Sequence, residues 1–310
     1  MSEASCHIVS SRGILRACCL HNPRPLGNPM SRDLVIHPIF RDNRVKMPRV
    51  PTVHFCSSAL SYFIESVLPT ITIPFVLVTG DSDSSIPDRP LRELDPILKN
   101  PLLRHWYSQN MIIKHPKMTC MPIGLDYHTV TDSVYSGKFH RKTTQMDLMF
   151  QRDLRKETAQ SQEKTLRQIS SGAKHFSKRI PLCFVNFGSE YPDRVDAHAS
   201  IDPRLVAEYP LGTKRDKIWE EQSRYSFVVS PLGNGIDCHR TWEALALGCI
   251  VIVKRPLISA VFEDLPVLIV DEWRDLDASL LNKTLADFSN KKFNMGKLTL
   301  QYWMRRMHSH

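Results

Sequence analysis

Between Ser226 and Val253 the chain reads SFVVSPLGNGIDCHRTWEALALGCIVIV, and the order of elements encoded there leaves few folds open. Phe227 to Ser230 is a short apolar run of the kind that forms a buried strand. Pro231, Gly233, Asn234 and Gly235 stop it in a turn. Asp237 then stands where a helix N-cap belongs, with a side chain suited to accept from the free amides of the first turn. The helix predicted from about Cys238 to Leu247 ends at Gly248, which suits a left-handed C-terminal cap, and Cys249 to Val253 is apolar and rich in β-branched residues. Strand, glycine turn, helix and strand in this order form half of a parallel α/β nucleotide fold, whose turn lets a phosphorylated ligand approach the backbone.

Two side chains on that helix carry the functional reading. Arg240 in the first turn and Glu243 three residues on share a face near the positive end of the helix dipole. As a forked donor Arg240 suits diphosphate oxygens, and Glu243 suits two adjacent ribose hydroxyls. Ser230, Gly233, Asn234, Gly235 and Asp237 complete the candidate donor site. The plainer alternative is a solvated ion pair at i, i+3 behind an ordinary Gly-Asn-Gly loop.

FVVSPLGNGIDCHRTWEALALGCIVIV, followed by LISAVFEDLPVLIVDEW, resembles the donor-binding half of exostosin-like glycosyltransferases. Upstream, TGDSDSSIP (Thr79 to Pro87) and MPIGLDYHT (Met121 to Thr129) are similar, less specifically, to the N-terminal half of some of these proteins. The resemblance implies a GT-B-like α/β fold, two Rossmann-like domains facing a central cleft. It implies an inverting, metal-independent transfer from a nucleotide-diphosphate sugar to a hydroxyl acceptor on a glycan or glycoconjugate, with no further cofactor. It also makes Arg194, in the loop after the first strand of the second domain, a second diphosphate contact. Family members are usually held in the Golgi by an N-terminal membrane helix, whereas Arg12 and Arg16 interrupt the N-terminal apolar stretch here. As it stands the chain reads as cytoplasmic, and as Golgi-lumenal if an anchor is missing from it.

The pattern along the chain gives an irregular basic arm over 1–50, an acceptor-side domain over 51–140, a linker with a helix over 141–180 and a donor domain over 181–310. In the first domain, VHFC and Pro74 to Val78 read as strands, and so do Met111 to Lys114 and Cys120 to Ile123. Ser58 to Val67, Leu91 to Lys99 and Leu102 to Ser108 read as helices. In the second, Leu182 to Phe187 opens a strand, Gly188 to Arg194 is a polar loop and Leu298 to Met307 is a closing helix that the resemblance packs back across the first domain.

The net charge of +9 sits in the ends: residues 1–49 carry eight Lys/Arg against three Asp/Glu, and residues 291–310 carry five against none. Without a concentrated basic surface or aromatic platforms, this distribution argues against nucleic acid and leaves an anionic acceptor or membrane surface as the alternative to solvated tails. No apolar run approaches the ~20 residues that span a bilayer. The eight cysteines show no C-x-x-C pair and no zinc-ligand spacing with the histidines.

Catalysis needs a base across the cleft from the donor. Asp83 is the first candidate, with Asp81, Asp126 and His128 behind it. Asp81-Ser82-Asp83 also has the form of a D-x-D motif, in which paired carboxylates hold a divalent cation on the donor diphosphate, and this keeps a metal-dependent GT-A-like enzyme as the rival. A nucleotide-sugar-binding protein without turnover is the non-enzymatic alternative.

Overall fold

Runs of buried β-branched and aromatic residues build two largely parallel sheets in a mixed α/β fold; the computed structural model describes residues 3–88, 90–129 and 157–310. The first sheet holds β1 (Leu20–His21), β2 (Val35–Ile36), β3 (Thr52–Cys56), β4 (Phe75–Gly80), β5 (Leu103–Ser108) and β6 (Met118–Cys120), in the order β2-β1-β3-β4-β5-β6. All neighbours are parallel except β2, which runs antiparallel on β1. Every residue of β3 and β4 is buried, as expected of parallel strands covered on both faces.

The second sheet holds β7 (Ile180–Val185), β8 (Val206–Glu208), β9 (Tyr225–Val229), β10 (Ile250–Lys254) and β11 (Val267–Val270), all parallel, in the order β11-β10-β9-β7-β8. Chain direction across the sheet reverses between β7 and β9, so a crevice opens at their C-terminal ends, the place where doubly wound sheets bind ligands. Alternation along the strands divides this sheet between two cores. Phe184, Val228, Val251 and Val253 point into a core continuous with that of the first sheet. Cys183, Val185, Phe227, Val229, Ile250 and Ile252 point into a second.

Nine helical segments matter for position: α1 (Ser11–Ala17), α2 (Leu60–Tyr62), α3 (Asp95–Leu98), α4 (Ala159–Gly172), α5 (Pro192–Ser200), α6 (Arg215–Gln222), α7 (His239–Ala246), α8 (Ala278–Ser289) and α9 (Leu300–Met307). Helix α9 closes on the first sheet, where Tyr107 of β5 donates its hydroxyl to the Arg306 carbonyl at 3.0 Å. Of the predicted linker, residues 141–156 lie outside the described residues.

The structure departs from the sequence reading in several places. The stretch 1–50 is largely without regular structure beyond His21 but begins with a core helix: Ser10 caps α1 by accepting from Gly13 N at 3.0 Å, and Ile14, Leu15, Cys18 and Cys19 are fully buried. The helix is only seven residues long, too short for a helical period to stand out in the sequence. Leu102 to Ser108, read as a short helix, is instead strand β5. Pairing with β4 and a bond from Trp106 Nε1 to Thr79 Oγ1 at 2.9 Å override a weak local preference. Met111 keeps only an isolated bridge to Ile86, β6 ends at Cys120 where Cys120 to Ile123 had been expected, and Gly188 to Arg194 is partly helical because Pro192 starts α5.

Because α1 is a core element, Ile14→Ala should cost about 2–4 kcal/mol of unfolding free energy by cavity formation. Urea denaturation checks it; a loss below ~0.5 kcal/mol would return residues 1–17 to a peripheral role.

Candidate functional site

The β9–α7 turn is held against the first sheet by a buried carboxylate. Asp237, 3% exposed, accepts from Ile123 N at 2.8 Å and from Trp242 Nε1 at 2.9 Å to each oxygen, while its own amide donates to Asn110 Oδ1 at 3.0 Å. This corrects the expected helix cap: Cys238 is the N-cap and makes no side-chain bond there. An indole and an amide buried between the sheets need an acceptor more than an accessible helix end does. Burial pushes the Asp237 carboxyl up to about 6, against the pull of Ile123 N, Trp242 and His239. Gly248 does adopt the expected left-handed cap, with φ 76°.

Beside this anchor the predicted residues fall into two clusters. In the first, at the C-terminal ends of β7 and β9, Arg194 Nη2 lies 3.2 Å from where a Cβ on Gly233 would stand, so glycine is what gives the guanidinium room. Arg240 lies over the Phe187 ring at 5.1 Å and donates to the Pro231 carbonyl at 3.3 Å. Desolvation, and after it the charge of Arg194, lower the pKa of Arg240. Two guanidiniums thus lie within each other's electrostatic reach, and Glu190 pairs with Arg194 at 3.0 Å. Asn234 reaches the other way, donating to Asp83 Oδ2 of the first sheet's β4 loop at 2.8 Å. Gly235 packs against the same aspartate.

The second cluster lies on the Glu243 side of α7. Glu243 accepts from Trp219 Nε1 at 3.1 Å and sits 3.9 Å from Arg215 Nε. Arg215 also donates to the Asp126 carbonyl and to Gln162 Oε1, and lies 3.5 Å from Asp126 Oδ2. Asp126 pairs with His128 at 3.2 Å, and His239 donates to the Gly124 carbonyl at 2.7 Å. Burial acts to raise the Asp126 pKa, but His128, His239, Arg215 and the Thr129 amide outweigh it and hold the carboxyl well below the usual range. Gly124 takes φ 68°, and a Cβ there would stand 2.3 Å from the Val9 carbonyl, so only glycine lets the N-terminal segment cross beneath this loop.

Two predicted residues sit elsewhere. Asp81 is 7% exposed; one oxygen pairs with Arg12 at 3.2 Å and the other accepts from Gly27 N at 3.0 Å, so its carboxylate holds the chain together away from the glycine turn. With Asp81 facing Arg12 and Asp83 facing Asn234, the D-x-D carboxylates take separate partners. Ser230 is also internal, its hydroxyl 2.8 Å from that of Thr241. Arg240 and Glu243, expected to work on one face, turn to different clusters. Arg215, Trp219, His239 and Asn110 were missed. His239 at i, i+4 from Glu243 was legible as a helix-face neighbour, whereas Arg215 and Asn110 reach the site only through tertiary contacts.

Among the described residues no group of three or more His, Cys, Asp and Glu side chains is arranged to hold a metal ion, and no helix is long and apolar enough to cross a membrane. No protein-family model matches the chain, and no curated protein matches it.

Asp237 gives a signed pH test. Its folded pKa lies above its unfolded one, so the native state binds the proton more tightly and stability falls as pH rises from about 4 to about 6. The unfolding free energy of the wild type relative to Asp237→Asn should therefore drop by ~2–3 kcal/mol across that window, since Asp126 is common to both proteins and cancels. Chemical denaturation at a series of pH values reads it, and a flat difference contradicts the assignment.

Proposed function

We propose that the protein is an inverting glycosyltransferase of GT-B-like arrangement, similar to the exostosin-like enzymes, that transfers a sugar from a nucleotide diphosphate to a hydroxyl acceptor. The observation that carries this reading is that Arg194 stands beside Gly233 and Arg240 bonds Pro231 of the same turn, while Asp83, from the other sheet, meets Asn234. Two forked cations beside a glycine are suited to a departing diphosphate, and a carboxylate across from them to a nucleophile. In the proposed step the acceptor oxygen bonds to the anomeric carbon as its bond to the diphosphate oxygen breaks. The electron pair leaves with the diphosphate, and the acceptor proton passes to Asp83. Glu243 would receive the ribose hydroxyls by exchanging the Trp219 indole for them.

A second base is favoured by one contact. Asp126 Oδ1 lies 3.2 Å from His128 Nδ1, so its charge would stabilise the ring once it has taken up a proton. Separate partners for Asp81 and Asp83 weigh against a shared-metal mechanism, and the two-arginine pocket serves equally in a protein that binds nucleotide sugar without turnover.

Glu243→Gln and Arg240→Gln should each weaken binding of a uridine or guanosine diphosphate sugar by about 1–3 kcal/mol in calorimetry, with the fold intact by circular dichroism. With an α-linked donor the product should show the NMR coupling of a β-linkage. An α-linked product would end the inverting mechanism, and full turnover in Asp83→Asn would move the base to His128. Unaltered affinity in both α7 variants would remove this helix from the donor site.

A further inference from the structure

The first turn of α5 carries a carboxylate that takes no part in the proposed transfer. Asp193 stands next in sequence to Arg194, and its side chain is 11% exposed. One oxygen accepts from Leu232 N at 2.8 Å; the other accepts from Trp273 Nε1 at 2.9 Å and lies 3.3 Å from Lys254 Nζ. Lys254 ends β10 and Trp273 follows β11. A single side chain therefore joins the start of α5 to the turn after β9, the end of β10 and the segment after β11.

The point at which it grips the turn gives it a further meaning. Leu232 lies between Pro231, whose carbonyl accepts from Arg240, and Gly233, beside which Arg194 stands. The carboxylate thus holds the turn backbone between the places where the two arginines meet it. Lys254 is surrounded by Asp193, by Asp196 at 2.7 Å and by Glu272 at 3.8 Å, so its charge is balanced locally. Arg194 is in a different condition: Nη1 pairs with Glu190, whereas Nε is buried with no hydrogen-bond partner among the described residues. An unpaired buried donor is costly, and an anionic oxygen is the acceptor that satisfies it best.

We propose that Asp193 is a positioning residue that makes this site prefer a nucleoside diphosphate to a nucleoside monophosphate, an inference that rests on reading the glycine turn as the donor site. A guanidinium fork matches one phosphoryl group through two bonds, so two forks held at a fixed spacing match two phosphoryl groups. Asp193 sets that spacing by fixing the turn against α5. Electrostatics alone has the opposite sign, because a carboxylate near two arginines repels an anion and its removal tightens binding.

Calorimetric titration of the full chain with UDP and UMP, and with GDP and GMP, at constant ionic strength gives the ratio of monophosphate to diphosphate Kd. The wild type should favour a diphosphate. Asp193→Asn keeps the side chain's size but accepts through one oxygen only; the ratio should fall about tenfold, with monophosphate affinity unchanged within about twofold. General loosening of the fold lowers both affinities alike, so the ratio separates positioning from stability. Asp193→Glu keeps the charge on a side chain one methylene longer and displaces the turn, so it should lose the preference as well, and it decides the question if Asp193→Asn does not fold. A wild-type ratio in either folded variant, or tighter diphosphate binding in Asp193→Asn, overturns the role and leaves the donor reading standing. A wild-type protein that binds neither nucleotide, or both alike, overturns the donor reading and this role with it.

Discussion

One carboxylate fixes how the two sheets meet. Asp237 stands between the loop after β6 and helix α7, and its removal would orphan the Ile123 amide and the Trp242 indole at once. Groups buried without partners cost more than their bonds contribute, so the arrangement has little tolerance for slippage. Everything proposed for the site depends on that registration. Asp83 meets Asn234, and His239 meets Gly124, only because the helix start is held at this depth.

The anchor also explains why the two clusters differ in character. On the β7 side, Arg194 of α5 and Arg240 of α7 come near one another beside the glycine turn, with Glu190 paired to the first. On the Glu243 side, opposite charges neutralise one another through Arg215. In the second, Glu243 already has the Trp219 indole and Arg215 as partners, so under the proposed function binding there would be an exchange of hydrogen bonds with a small net gain.

Much of the second sheet was legible because its signals are local. β9, β10 and β11 are short apolar runs, Gly248 ends a helix, and the strands pair as their periodicity implies. β8, only Val206–Glu208 and part exposed, carried no such signal. In the first half the sequence was a poorer guide, because strand β5 owes its form to β4 and the short α1 is too small to show a repeat. Arg240 and Asp83 were picked out as residue types beside turns, and Arg194 only through the resemblance. Which carboxylates face outward was not. Asp81 and Asp83 are two residues apart on one loop, yet Arg12 draws the first inward, and that arginine lies far away in sequence. Asp237 likewise looked like a cap because its partner, Ile123, comes from another sheet.

Val9 donates to the Leu298 carbonyl and Leu300 to that of His7, so strands of backbone from opposite ends of the sequence lie side by side, and α9 packs on α1 and β5. Such contacts close the largest loop available, and their entropy must be met before they reward the chain. A ribosome making this protein releases the first sheet's strands long before the helix that covers them. Until α9 emerges, the apolar side of α1 and the aromatic face of β5 have no lid. The order of synthesis and the order of assembly are therefore opposed at this seam.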